Sequence, residues 1–154
     1  MINAPVPSEI DGLPRATHAL LHRGMALYGT DRAGAAFLFG FAQSRAPASL
    51  ALYRVLVKFY NRVGQFDAAY EMAEQGLAEA ARLGNFPPDW RAWTLELLVG
   101  NEACFALQTL KAMAFLELRR GNGDSSAGML ERLRLLDPSD GTGSSVVAAL
   151  AEGI

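Results

Sequence analysis

Cysteine is almost absent from this sequence, since Cys104 is the only one among 154 residues. A single thiol excludes a disulfide within the chain and fits a reducing compartment. Cys104 also lacks a CxxC partner, which excludes the common redox and zinc motifs. Its neighbours Ala103, Phe105 and Ala106 are apolar, so the sequence predicts a buried thiol.

Long apolar runs and a strong net charge are missing as well. No stretch approaches the roughly 20 apolar residues that a membrane-spanning helix needs. Residues 1–14 have neither the basic start nor the apolar core of a signal peptide. The formal net charge of -2 gives no overall attraction to nucleic acid. These absences predict a cytoplasmic protein that binds neither membranes nor nucleic acid.

Charge is nevertheless unevenly distributed along the chain. Residues 1–64 carry seven basic and three acidic side chains, a net charge of +4. Residues 65–154 carry seven basic and thirteen acidic side chains, a net charge of -6. This asymmetry indicates either a binding face or helices that expose different charges to water.

Recognisable catalytic motifs are also missing. The sequence has no Ser-His-Asp order, no paired-carboxylate signature and no dinucleotide fingerprint. The glycine-rich residues 121–124 lack the preceding strand and the following Lys-Ser/Thr of a phosphate loop, so they are interpreted as a turn between helices. We therefore predict a protein that is not an enzyme and that holds no cofactor.

The two histidines of the chain, His18 and His22, lie four positions apart. At this spacing on a helix, two imidazoles can share a metal ion. A complete site needs two or three further ligands, and nothing in the sequence brings them near. The pair is therefore interpreted as a surface or half-buried pair, with a metal site at His18 and His22 as the alternative.

What the sequence does contain is a strong helical pattern, clearest over residues 50–83. Apolar side chains recur there at three- and four-residue spacing, in two runs separated by a short turn. The pattern resembles one tetratricopeptide repeat, a helical hairpin of about 34 residues. The residues that carry the resemblance are Tyr53, Leu56, Val57, Tyr60, Gly64, Ala69 and Ala73.

Two further segments, residues 15–46 and 102–138, resemble the same repeat. After an extended or poorly ordered lead-in over residues 1–14, the resemblance implies an all-α fold in a single domain, residues 15–154. The expected architecture is a right-handed α-α solenoid of three imperfect hairpins, closed by a C-terminal capping helix over residues 144–152. The residues that carry these two matches are Gly24, Ala35, Phe39, Ala42, Pro47, Leu110, Met113, Ala114, Gly121, Ser126, Leu130, Leu133 and Pro138. Glu117 departs from the pattern, because it stands where the repeat usually has a tyrosine.

An insert over residues 84–101 interrupts the repeats. Pro87 and Pro88 prevent a helix at that point. Asp89 is placed to cap a short helix that would end near Val99.

Both tryptophans of the chain, Trp90 and Trp93, lie in this insert. We interpret them as core residues, because large aromatic side chains mostly serve cores. The alternative is an aromatic ligand site at Trp90 and Trp93, because inserts often carry function.

Three short motifs resemble a second, smaller group of proteins. They are RGMALYGTD at residues 23–31, LVKFY at residues 56–60 and LRLLDPSD at residues 133–140. Together they resemble a small bacterial family of such repeat proteins that is found near nitrogen-fixation genes. The resemblance implies a factor that handles a metal or cofactor during metalloenzyme assembly.

The residues left outside the apolar stripes suggest a peptide-binding groove. In the tetratricopeptide arrangement, the first helix of each pair lines the concave side. Cationic side chains there accompany Met, Tyr and Phe, a combination that suits an acidic peptide. The predicted groove consists of Met25, Tyr28, Arg54, Lys58, Asn61, Arg62, Lys111, Phe115 and Arg119. Alternatively, these charges form only the solvated faces of helices.

The sequence favours a non-enzymatic interaction module, an adaptor or assembly chaperone that holds a segment of another protein. One alternative is a metal- or cofactor-handling factor for metalloenzyme assembly, with nitrogenase as a candidate enzyme. The other alternative is a structural protein that associates with itself as a homo-oligomer.

Overall fold

The fold is all-helical, which confirms the fold class predicted from the sequence. The protein is represented by a computed structural model that describes residues 9, 10 and 12–153. Within these residues the helices are α1 Arg15–Leu27, α2 Arg32–Arg45, α3 Leu50–Arg62, α4 Phe66–Gly84, α5 Asn101–Arg119, α6 Gly123–Leu136 and α7 Ser144–Ala151. No helix among them combines the length and the apolar character that crossing a membrane requires.

A short strand pair precedes α1. Glu9–Ile10 (β1) pairs antiparallel with Leu13–Pro14 (β2), and the side chain of Leu13 is fully buried. The alternation of apolar and polar residues is too brief here to predict strands from sequence. The rest of the predicted lead-in, residues 1–8 and 11, lies outside the described residues.

The chain divides into two compact units, Met1–Leu52 and Tyr53–Ile154. In the first unit α1 packs against α2. The contact is close at Gly24, where a β-carbon would lie 2.6 Å from the ring of Phe39. Glycine at this position therefore lets the aromatic ring of α2 pack directly onto the backbone of α1.

In the second unit α4 packs against α5, α5 against α6, and α6 against α7. Small residues lie where these helices cross. Ala69, Ala73 and Ser126 are among them, and all three are fully buried. The hydroxyl of Ser126 donates a hydrogen bond of 2.8 Å to the carbonyl of Ala114, which joins α6 to α5. This satisfies a buried polar group that would otherwise cost about 1–3 kcal/mol.

The insert contains much less helix than predicted. Asp89 does act as a cap, because its carboxylate accepts a hydrogen bond of 3.0 Å from the backbone N–H of Arg91. Only one 3₁₀ turn follows, Trp90–Ala92, and the predicted continuation to Val99 is wrong. The reason is Trp93, whose backbone is extended and whose buried indole N–H donates to the carbonyl of Pro87 at 2.6 Å.

Candidate binding cleft

A cleft of about 580 Å³ opens in the second unit. Its walls come from α3 and α5, and α4 contributes its floor at Ala73. The lining residues are Tyr53, Arg54, Val57, Lys58, Ala73, Asn101, Cys104, Phe105, Gln108, Thr109, Lys111 and Ala112. The structure thus brings three predicted groove residues, Arg54, Lys58 and Lys111, to one concave surface.

The charge of this cleft is positive. None of the described residues that line it is acidic, whereas three are cationic. Arg54 and Lys58 are exposed and form no ion pair with any described residue. Lys111 differs, because its half-buried ammonium donates a 2.7 Å hydrogen bond to the carbonyl of Thr142. Two cations, rather than three, are therefore available to a ligand.

The apolar part of the cleft depends on a close helix crossing. A β-carbon on Gly76 would lie 2.8 Å from the β-carbon of Tyr53 and 3.4 Å from the ring of Phe105. Gly76 thus lets α3 approach α4 closely enough to place the Tyr53 ring in the cleft wall. Burial, and secondly the charge of Glu79, raise the pKa of Tyr53, so its phenol stays neutral at physiological pH.

The prediction of a buried thiol at Cys104 is wrong. The side chain is exposed and lines the cleft. The apolar neighbours that suggested burial, Ala103 and Ala106, are indeed buried. Successive residues of a helix point about 100° apart, however, so a residue between buried neighbours can face outward. Cys104 is one such residue.

Six predicted groove residues lie outside this cleft, and four of them belong to the second unit: Asn61, Arg62, Phe115 and Arg119. The guanidinium of Arg62 stands over the ring of Phe59, at 5.7 Å from its centre. That of Arg119 lies 4.9 Å from the ring centre of Phe66 and 5.9 Å from that of Phe115. Asn61 is half-buried and does not line the cleft. These arginines contact aromatic rings of their own fold.

The two groove residues predicted on α1 belong to the first unit. Met25 is half-buried there. Tyr28 is half-buried too, and the guanidinium of Arg32 stands 5.0 Å from the centre of its ring.

The two tryptophans of the insert have different surroundings. Trp93 has no exposed surface and packs edge-to-face on Phe86, with ring centres 5.7 Å apart. Trp90 is half-buried and carries the guanidinium of Arg91 at 4.4 Å from its ring centre. Trp93 is therefore a core residue, and only Trp90 of the alternative aromatic site reaches the surface.

The imidazoles of His18 and His22 stack on α1, with ring centres 6.0 Å apart. Among the described residues, no three His, Cys, Asp or Glu side chains lie close enough to hold a metal ion. Within this part of the chain, the pair has no further ligand of these types to complete a metal site.

A buried ionic cluster in the second unit was not predicted. The Glu117 carboxylate is buried and accepts hydrogen bonds from Arg120 at 2.8 Å and from Asn122 at 3.2 Å. Arg120 also donates to Asp67 at 2.9 Å, and its guanidinium lies 4.2 Å from the ring centre of Tyr70. The signal in the sequence was Glu117 itself, an acidic residue in a position usually held by tyrosine.

Comparison of the chain with protein-family models, curated proteins and solved structures gives no match. The resemblances to tetratricopeptide repeats and to the family near nitrogen-fixation genes therefore stay predictions from residue patterns. The cleft formed by α3, α4 and α5 is the feature from which a function can be argued.

Proposed function

We propose that this protein is a non-enzymatic interaction module that binds an acidic, partly apolar peptide segment of another protein. The observation that supports this is the cleft of the second unit. There Arg54 and Lys58 have no carboxylate partner among the described residues and lie beside Tyr53, Val57 and Phe105. A peptide with Asp or Glu next to Leu, Ile or Phe complements both parts of this surface.

The two parts of the cleft contribute differently to binding. An exposed ion pair is worth only about 0.2–1 kcal/mol, so Arg54 and Lys58 select the charge of the peptide and speed its association. Apolar burial contributes about 25 cal/mol per Å². Contacts with Val57 and Phe105, which are only half-buried in the free chain, therefore supply most of the affinity.

The proposal includes the finer architecture. The three helix pairs α1–α2, α3–α4 and α5–α6 would be tetratricopeptide-like repeats of a right-handed solenoid, with α7 as the capping helix. In that arrangement α3 and α5 are the first helices of their pairs, and both line the cleft of the second unit. The role that fits best is a cytoplasmic adaptor or assembly chaperone.

A displayed library of random 12-residue peptides tests the specificity of the cleft. We expect selection against the whole chain to enrich peptides with two or more acidic residues next to apolar ones. Selected peptides should bind the variant Arg54→Glu/Lys58→Glu at least about tenfold more weakly, because like charges then face each other. Their affinity for the unaltered chain should fall as salt is added.

The matched control is Arg15→Glu/Arg32→Glu, which makes the same change in net charge at two exposed arginines outside the cleft. This variant should bind the selected peptides as the unaltered chain does. Selected peptides without acidic residues, or equal binding by the two double variants, would contradict the proposal.

A further inference from the structure

Two exposed phenylalanines mark a second surface, in the first unit. Phe37 is 71% exposed and Phe41 is 43% exposed, although both are large and apolar. Their rings stack on α2, with centres 6.4 Å apart and planes inclined by 7°. Paired aromatic rings left in water are typical of an interaction site.

Phe41 borders a groove between α1 and α2 of about 550 Å³. Two exposed arginines, Arg23 and Arg45, also line this groove, and none of its described lining residues is acidic. The guanidinium of Arg45 lies 6.0 Å from the centre of the Phe41 ring. We call this surface the basic groove, with a formal charge of +2 and an apolar side that includes Leu20.

The second unit contains a groove of the opposite sign. It lies along α6 and α7, has a volume of about 620 Å³, and includes apolar side chains such as Leu118 and Leu130. We call it the acidic groove. Its charged lining residues are Glu131, Arg134, Asp137, Asp140 and Glu152, a formal charge of -3.

Two acidic side chains of this groove stay ionised at physiological pH. Burial would raise the pKa of Asp137, but hydrogen bonds from Thr142 and Gly141 outweigh it and lower the pKa. Hydrogen bonds from the hydroxyl and backbone N–H of Ser145 lower the pKa of Asp140. The negative charge of the groove is thus a stable property of the folded chain.

We propose that the basic groove of one copy binds the acidic groove of a second copy, so that the chains associate head to tail. Two observations favour a second copy as the occupant. The two grooves have opposite charges, and apolar surface lies beside the charges, including the exposed rings of Phe37 and Phe41 next to the basic groove. When the contact joins two different surfaces, a pair of copies still has one unoccupied basic groove and one unoccupied acidic groove. Further copies can therefore add at both ends unless a ring closes.

This association does not depend on the peptide cleft, because neither groove includes Arg54, Lys58 or any other cleft residue. It is also consistent with the charge pattern of the chain, which is net +4 over residues 1–64 and net -6 over residues 65–154. Opposite charges steer the two surfaces together, and salt weakens that attraction.

Light scattering of the whole protein after size-exclusion chromatography tests the proposal across a wide range of concentration. We expect the mass of the unaltered chain to rise with concentration and to fall when salt is added. The variants Arg23→Glu/Arg45→Glu and Glu131→Lys/Glu152→Lys should each stay monomeric, because their two grooves carry the same sign. An equimolar mixture should associate again, because each variant then meets a groove of opposite charge.

All four substituted side chains are exposed, so both variants should keep the helical circular dichroism of the unaltered chain. The control Glu71→Lys/Glu96→Lys changes the net charge by the same amount outside both grooves and should associate normally. If either charge variant fails to fold, Phe37→Ser replaces it, and we expect this change to weaken association at least about tenfold.

Three results would overturn the proposal. One is an unaltered chain that stays monomeric at every concentration. Another is a mixture of the two charge variants that stays monomeric although the unaltered chain associates. The third is an unaltered chain that does not associate but binds vesicles containing phosphatidylserine through Arg23 and Arg45, because the basic groove would then be a membrane-binding surface.

Discussion

Two sets of cations in the second unit, Tyr53–Ile154, have opposite surroundings. In the cleft, Arg54 and Lys58 are exposed and form no ion pair with the described residues. In the ionic cluster, Arg120 pairs with both Glu117 and Asp67 and lies over Tyr70. The comparison indicates that cations with built-in carboxylate partners hold the fold, whereas cations without them are available to a ligand.

Lys111 shows an intermediate case. It lines the cleft, but its ammonium is held by the carbonyl of Thr142, in the segment that links α6 to α7. Position in a cleft is thus not sufficient to make a cation a ligand contact. Whether a cation already has a hydrogen-bond partner in the fold decides its role. Substitutions test this by separating effects on stability from effects on binding.

Removing the carboxylate of the cluster should give the largest loss of stability. Glu117→Ala leaves Asn122 and the partly buried Arg120 without their shared acceptor, so we expect a loss of about 2–4 kcal/mol in the free energy of unfolding. Urea unfolding followed by circular dichroism measures it. The matched control is Glu131→Ala, which breaks an exposed pair with Arg134 and should leave the urea midpoint almost unchanged, because solvent screens such pairs.

A methyl group at the α3–α4 crossing should have the next largest effect. Gly76→Ala overpacks the contact with Tyr53, at a cost of about 1–3 kcal/mol. Alanine recovers only about 1 kcal/mol of helix propensity, so a net loss is expected. At Gly40 in α2 the added carbon has no described atom within 4 Å apart from its chain neighbours and the backbone of its own helix, so Gly40→Ala should instead raise the thermal midpoint. Equal effects at the two glycines would contradict the tight crossing.

Removing the hydrogen bond between Lys111 and Thr142 should lower the free energy of unfolding by a smaller amount. Lys111→Met keeps the length of the side chain but loses the hydrogen bond to Thr142, so we expect about 1 kcal/mol of destabilisation. Urea unfolding measures the loss. Binding of the selected peptides should change little, which distinguishes Lys111 from Arg54 and Lys58. A loss of binding without a loss of stability would place Lys111 among the ligand contacts.

Low pH should destabilise the segment between α6 and α7, where Asp137 accepts hydrogen bonds from Gly141 and Thr142. The pKa of Asp137 is lowered in the folded chain, so its stabilising effect is complete above its unfolded pKa of about 4 and is lost as the pH falls through the folded value. The protection of the α7 amides from hydrogen exchange, measured relative to the intrinsic exchange rate at each pH, should therefore fall below about pH 4. In Asp137→Asn this fall should be smaller, and the protection should already be lower at neutral pH. An unchanged pH profile in the variant would contradict the assignment.

The smallest effect on stability is expected in the cleft itself. Arg54→Glu/Lys58→Glu alters two exposed side chains that form no ion pair within the described part of the chain, so the free energy of unfolding should change by no more than about 0.5 kcal/mol. Thermal unfolding at low salt is the appropriate measurement. A loss as large as that of Glu117→Ala would show that these cations also hold the fold.

Helical spacing predicted the larger elements well. The stripes around Leu56 and Ala69 specify buried faces, and both residues are fully buried. The same spacing put Arg54 and Lys58 on the opposite side of α3, where they line the cleft. Neighbours along a helix predict which side a residue faces only when the whole stripe is considered, which is why the apolar residues flanking Cys104 were misleading.

The contacts that sequence could not predict join residues far apart in the chain. Lys111 and Thr142 are 31 positions apart, and Arg120 and Asp67 are 53 positions apart. Such pairs depend on how helices pack, which spacing within one helix does not determine. Glu117 was recognisable as a departure from the repeat pattern, and Arg120 follows it by three residues, but the contact of Arg120 with Asp67 of α4 was not predictable.

Occupancy of the cleft can be measured directly through Cys104. This residue lines the cleft and is the only cysteine of the chain, so the rate at which a maleimide alkylates it reports on this one site. We expect a selected acidic peptide at saturating concentration to slow alkylation at least about tenfold in the unaltered chain. The same concentration should give little protection in Arg54→Glu/Lys58→Glu. Equal protection in both proteins, or peptide binding that leaves the rate at Cys104 unchanged, would contradict a peptide-binding role for this cleft.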